Sequence, residues 1–270
     1  MTLTRRAFLG ATAGTAVAAI SSLSTARTLA GITQAPFGTL PDGRHVTQYT
    51  LKNKSGMLVK ILDFGGIITE IHVPDRAGRF TDVALGFDTL EPYLVKGPYF
   101  GALIGRYGNR IAHGRFALDG KDVVLATNDG DHHLHGGKQG FDKRLWTAAI
   151  EGDSLALRYR SPDGEEGYPG NLDTTVIYSL TDANDIVVRF HAVTDKATPV
   201  NLTQHSYFNL RGAGKGDILG HEMTIAADRY LPVDAGLIPL GPLAPVAGTP
   251  FDFRRAHPIG QFIGEADQQL

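Results

Sequence analysis

The sequence predicts an all-β protein of antiparallel strands, folded as one sandwich-like domain. Three observations carry this. Short apolar runs alternate with a period of two, the pattern of half-buried strands. Clusters of Gly, Pro, Asp and Asn break those runs at short intervals, and glycine alone supplies 33 of the 270 residues. No strand–helix alternation appears and no glycine motif opens a helix, which argues against dinucleotide or phosphate-loop folds. After residue 31 there is no fixed-period repeat, linker or composition break, and a 42% hydrophobic composition is enough for one large core.

Taken in chain order, the first element is a leader. "MTLTRRAFLGATAGTAVAAI" places Arg5-Arg6 before an apolar, small-residue run of roughly fourteen residues, short for a membrane span. With Phe8-Leu9 it resembles a twin-arginine export signal. Residues 1–30 are therefore expected to be a signal, cleaved after Ala26 or Ala30, and 31–270 the working domain. The expected location is periplasmic or secreted, with no membrane attachment after cleavage.

Strands are expected at 57–62, 67–73 and 83–87, followed by a short helical turn at 88–94. "SLALRYR" puts Leu155, Leu157 and Tyr159 on one face. Further strands are expected at 174–180, 185–192, 201–210 and 222–226. "PDG" at Pro41, "PDRAG" at Pro74, "LDGKD" at Leu118 and "SPDGEEGYPG" at Ser161 supply the turns.

Composition narrows the function. A net charge of -2 with both signs interspersed gives no basic block for nucleic acid or membrane, so a small neutral ligand fits best. The absence of cysteine removes disulfides, thiolate chemistry and Cys-based zinc sites.

Three segments could carry chemistry. In "DHHLHGG", residues 131–137, strand alternation puts His133 and His135 on one face, with Asp131, and His132 on the other. In "NLTQHSYFNL", residues 201–210, Asn201, Thr203, His205, Tyr207 and Asn209 share a side, while Leu202, Phe208 and Leu210 share the packing side. Such a polar face is either solvated or a sugar-facing surface rich in donors and acceptors. In "GRYGNRIAHGRF", Arg106 and Arg110, with Asn109 beside the second, offer donors to hydroxyl or carboxylate oxygens or are simply surface residues, and in "GTPFDFR" Asp252 is either a paired structural carboxylate or an acceptor for a sugar hydroxyl.

Six blocks then occur in an order that resembles the aldose 1-epimerases: "FGALIGRYGNRIAHGRFALDGK", "LHGGKQGFDKRLW", "SPDGEEGYPGNL", "TPVNLTQHSYFNL", "YLPVDAGLIPLG" and "GTPFDFR". The resemblance spans about residues 36 to 265 and implies a large twisted antiparallel β-sandwich that interconverts the α and β anomers of free hexoses such as glucose and galactose, without metal or organic cofactor. By position, His205 resembles the general acid for the ring oxygen and His135 a second active-site histidine. Asn109, Arg110, Asp252 and Tyr207 resemble substrate-binding residues. Arg106, Trp146, Glu165 and Glu166 fall in the blocks as structural residues, and His132 and His133 are expected to be solvated.

The sequence departs from the family at its end, where it stops before the block that carries the general-base glutamate and a sugar-binding glutamine. The expectation is an incomplete sheet, poor stability and impaired epimerase activity. Gln204 also replaces the usual Asn before the histidine. The alternatives are a non-catalytic carbohydrate-binding sandwich, a sugar-phosphate epimerase lacking the basic cluster it would need, and a metal site on Asp131, His133 and His135.

Overall fold

The computed structural model describes residues 31–265 and residue 267. The export signal expected over 1–30 lies outside the described residues. Among the described residues no helix is long and apolar enough to cross a membrane.

Five strands form an antiparallel meander: β1 (Ile32–Thr39), β2 (His45–Lys52), β3 (Leu58–Leu62), β4 (Ile68–Pro74) and β5 (Phe80–Asp82). The side-chain period of two divides it between two cores. Tyr49, Leu51, Val59 and Ile61 face one, while Val46 and Leu62 face the other, so both sides of the sheet are buried. Between β3 and β4 the register slips after Lys60–Glu70, so that Ile61 pairs with Ile68. The extra residue is Thr69, whose hydroxyl meets Gln48 at 3.1 Å, and the slip returns both Ile68 and Ile71 to the first core.

After a four-residue helix α1 (Glu91–Leu94), short strands follow at β6 (Leu103–Ile104), β7 (Arg110–Ile111), β8 (Arg115–Leu118), β9 (Lys121–Val124) and β10 (His133–Leu134). The second large sheet is another meander: β11 (Thr147–Glu151), β12 (Ser154–Ser161), β13 (Leu172–Leu180) and β14 (Ile186–Thr194). Leu155, Leu157, Val176 and Tyr178 pack with the inner residues of the first sheet, and the Tyr178 hydroxyl donates to the Gly66 carbonyl at 2.8 Å. The two sheets thus form an antiparallel sandwich, as the alternation predicts.

The segment 201–210 departs from its expected form. Only β15 (Thr203–Gln204) is a strand, paired with β6. Beyond it, residues 207–209 are tied to 83–85 by Leu85 N–H to Tyr207 O at 2.9 Å and Asn209 N–H to Val83 O at 2.8 Å. Of the expected packing side, Leu202 is half-buried against the first core, but Phe208 is 54% and Leu210 70% exposed. Two-residue pairing builds no second layer here among the described residues, so alternation does not sort inside from outside. Asn209 is instead the buried one, capping a turn through Lys215 O and Arg211 N–H. Similarly, 83–87 is not a full strand, and at 222–226 only 222–223 are.

Candidate active site

The pairing of β6 with β15 carries one histidine to the site. Past Gln204 the ladder continues through His205 N–H to Ala102 O at 2.9 Å and Gly101 N–H to His205 O at 3.1 Å. The Gln204 side-chain amide also donates to Gly101 O at 2.8 Å. Glycine is required at 101, because a Cβ there would lie 1.9 Å from the Ile68 carbonyl oxygen. His205 is therefore held by backbone bonds while its imidazole stays half-buried and open to solvent.

The second histidine arrives from a turn. His135 follows β10 in the left-handed region, φ 52°, and Asn109 opposite it is also left-handed, φ 66°. Two hydrogen bonds join them: His135 N–H to Asn109 O at 3.0 Å, and Asn109 N–H to His135 Nδ1 at 3.0 Å. Backbone strain at two adjacent, mutually bonded residues is the kind that persists where the surroundings over-determine a site.

The rings of His135 and His205 stand edge to face, centroids 5.0 Å apart. Tyr99 touches both, at 4.8 Å from His135 and 5.8 Å from His205. Tyr207 lies 5.1 Å from His205 and is 40% exposed. Arg110 pairs with Asp129 at 2.9 Å beside them. The result is an amphipathic surface of aromatic edges and polar tips, suited to a hydroxyl-rich ring.

Electrostatics fixes the state of His135. Burial pushes the His135 imidazole down to about 4, helped by the neighbouring His205 and Arg110 and opposed by Asp129. At neutral pH His135 is uncharged. Its Nδ1 is occupied as an acceptor, so the ring proton sits on Nε2 and His135 offers a donor. Burial also pushes the Tyr99 hydroxyl up to about 12, with Asp142 and Asp129 adding to the effect, so it stays protonated. The His205 ring nitrogens make no hydrogen bond among the described residues, which leaves them for a ligand.

The structure gathers His135, His205, Tyr207, Asn109 and Arg110. Asp252 sits elsewhere, in a hollow it shares with Arg254, His257, Gln261 and Glu265. Arg254 clamps it with bonds of 2.8 and 2.7 Å and holds its carboxyl down at about 2. Sequence reasoning misses Tyr99. The only local signal is an aromatic just past the Gly97-Pro98 turn, immediately before the first matched block.

The structure overturns the solvated, one-faced arrangement expected of "DHHLHGG". His133 is fully buried, not solvated: Nδ1 meets Ala126 O at 2.6 Å and Nε2 meets the buried Tyr168 hydroxyl at 2.6 Å. His132 is half-buried, accepting His113 N–H at 3.1 Å. Because the chain turns left-handed at His135, strand alternation fails and His133 and His135 do not share a target. With both His133 nitrogens occupied, a metal site on Asp131, His133 and His135 does not form. Another trio, Glu70, His72 and Asp82, brings possible donor atoms within 4.8 Å of one another, but Glu70 is already paired with Lys60 at 2.9 Å and His72 at 2.7 Å.

The residues read as structural behave so. Arg106 is 2% exposed and donates to Ser161 Oγ, Ser161 O, Pro162 O and Pro169 O. Glu165 accepts from Tyr159 and Ser161 and pairs with Arg144 at 2.8 Å. Trp146 is buried and donates to Phe141 O at 3.2 Å.

A sequence profile of the aldose 1-epimerase family matches residues 47–269. Galactose mutarotase of Bos taurus is 49% identical over 237 residues, covering 88% of this chain and 69% of the bovine protein. Aldose 1-epimerase of Escherichia coli K12 is 44% identical over 231 residues, covering 85% of this chain and 66% of that protein. The solved galactose 1-epimerase of Lactobacillus acidophilus superposes with a TM-score of 0.77 at 31% identity, over 88% of this chain and 70% of that one. The aldose epimerase homologue from C. elegans gives a TM-score of 0.74 at 31% identity, over 78% of this chain and 64% of that one. The chain thus spans about two thirds of the length of these relatives. With the family profile, these identities and the shared sandwich in agreement, the chain belongs to the aldose 1-epimerase family of isomerases.

Proposed function

We propose that the histidine cluster acts on free aldohexoses, galactose and glucose among them, interconverting their α and β anomers. His205 protonates the ring oxygen as the bond from C1 to that oxygen breaks, and a base takes the proton of the anomeric hydroxyl, so that C1 becomes an aldehyde. The aldehyde rotates, the ring oxygen attacks either face, and both protons return. Nothing is consumed. An imidazole suits the acid role because it gives and recovers a proton near neutral pH. His135, neutral and donating from Nε2, orients a sugar oxygen and does not compete as an acid. Asn109, Arg110 and Tyr207 complete the surface, while Asp252, its carboxylate held by Arg254, lies outside the described cluster.

The observation that carries this reading is the 5.0 Å edge-to-face pair of His135 and His205, one neutral donor beside one accessible imidazole, in a member of this family. A second reading, a carbohydrate-binding surface without catalysis, is favoured by one feature. Four carboxylates packed around the cluster are already engaged: Asp129 by Arg110, Asp142 by Lys143, Glu165 by Arg144, and Glu166 by backbone amides. The described cluster therefore supplies the acid and not the base.

Galactose titration followed by NMR, with anomer exchange measured in the same samples, tests both. Saturable binding with accelerated exchange supports the epimerase. Binding alone supports the second reading, and a chain that does neither refutes the site. Export to the periplasm or beyond is proposed on the Arg5-Arg6 leader, and amino-terminal sequencing of the protein from each cell fraction checks it.

A further inference from the structure

The geometry points to Glu166 as a positioning residue: by clamping the turn that follows His135, it sets which edge of that imidazole the substrate meets. This rests on the proposed sugar contact of His135. Glu166 lies in a short turn, Glu165–Gly167, in the left-handed region at φ 52°. Its two carboxylate oxygens accept consecutive backbone amides, Oε2 from Lys138 N–H at 2.9 Å and Oε1 from Gln139 N–H at 3.0 Å. Charge-assisted bonds of this bidentate kind fix orientation as well as distance.

The turn is closed from both sides. A Cβ on Gly137 would lie 2.2 Å from Glu166 Oε2, and one on Gly136 would lie 1.7 Å from Gly105 O. Both glycines have positive φ, 102° and 89°. Residues 136–139 are thus held between the Gly105 carbonyl and the Glu166 carboxylate, directly after the strained His135.

Glu166 is itself anchored. Its carbonyl accepts Ala126 N–H at 3.0 Å, and the loop around it hangs from the Arg106 guanidinium through Ser161 O, Pro162 O and Pro169 O. Arg106 adjoins Gly105 and lies three residues before Asn109, which holds His135 Nδ1. The circuit runs from Arg106 through its loop to Glu166, to the turn, to His135 and back to Asn109. Among the described residues the Glu166 carboxylate bonds to the turn and to neither imidazole, so its influence on the site passes through the turn.

The test compares the full chain with Glu166→Gln, which keeps the size and loses the charge and one acceptor. Three readouts are taken: the ¹⁵N signals of the His135 ring, galactose affinity, and the melting temperature. The expected wild-type ring shows one tautomer, protonated on Nε2. In Glu166→Gln the two nitrogens should average as the Asn109 bond is lost part of the time, and galactose affinity should fall about tenfold or more, the usual effect of a misplaced contact. Unchanged His135 signals overturn the inference even if the melting temperature drops, since that is what a merely structural residue would give. Should Glu166→Gln not fold, Glu166→Asp, which keeps the charge and shortens the reach, reads the same signals. Failure of both to fold assigns Glu166 to stability alone and also overturns it. Absence of galactose binding in the wild-type chain removes the sugar role of His135, while the ring signals still decide whether Glu166 orients it.

Discussion

Replacing Arg106 by lysine keeps the charge and removes the fork. The guanidinium makes four hydrogen bonds, and the two to Ser161, Nε to Oγ at 2.8 Å and Nη2 to the carbonyl at 3.0 Å, are fully buried. The bonds to Pro162 O at 2.8 Å and Pro169 O at 3.1 Å lie nearer the surface, where water can replace a lost donor. Hydrogen bonds from charged donors contribute roughly 1.5–3 kcal/mol each. An ammonium at the same depth can serve one of the buried acceptors but not both in the planar arrangement. One buried acceptor is then left without a partner, and Arg106→Lys is expected to cost about 2–4 kcal/mol, a large share of a domain stability of about 5–15 kcal/mol. Urea unfolding followed by tryptophan fluorescence measures this through the midpoint, with the slope unchanged. Trp146, buried in the core, is the reporter. A loss below about 1 kcal/mol would show that the loop around Ser161 is held by something other than this guanidinium, and the reasoning would fail.

Three further outcomes are expected. Tyr168→Phe strips the buried His133 Nε2 of its partner and should destabilise by about 1–3 kcal/mol, and an unchanged unfolding midpoint would contradict the buried bond. The Asp63 carboxyl, 8% exposed, is pushed up to about 6, chiefly by burial. Unfolded it titrates near 3.9, so between about pH 4 and 6 the folded state holds a proton that the unfolded state releases, and stability falls as pH rises through that window by at most ~3 kcal/mol. Asp63→Asn should lose that component, and parallel stability curves for the two proteins would refute it. Tyr99→Leu removes the aromatic edge shared by both histidines and should weaken galactose binding about fivefold to tenfold, taking a ring contact at ~1 kcal/mol. Unaltered affinity would place Tyr99 outside the site.

Much of the sandwich was legible because burial on one or both faces enforces a period of two. Leu155, Leu157 and Tyr159 pack as alternation requires, and the turn clusters at Pro41, Pro74, Leu118 and Ser161 all fall between paired strands. Alternation loses its meaning where pairing lasts only two residues. At 203–204 the ladder is too short to define two faces, so Phe208 and Leu210, which alternation puts inside, are exposed. At His135 a positive φ breaks the alternation that would have aligned it with His133. Within the site, His205, His135, Asn109 and Arg110 were readable from ordered motifs. Tyr99 was not, because its contacts come from the left-handed turn at φ 61° and not from any spacing. Asp252 shows the opposite limit: its block matches, yet Arg254, two residues on, claims its carboxylate.

The proposed reaction turns on His205 giving the proton that opens the hexose ring, and galactose anomer exchange by the full chain and by His205→Asn, with binding measured alongside, isolates that step. The variant is expected to bind galactose within a few-fold of the wild type while exchange above the spontaneous rate falls by about 10² or more, the usual contribution of a general acid. Equal exchange rates in the two proteins would contradict it.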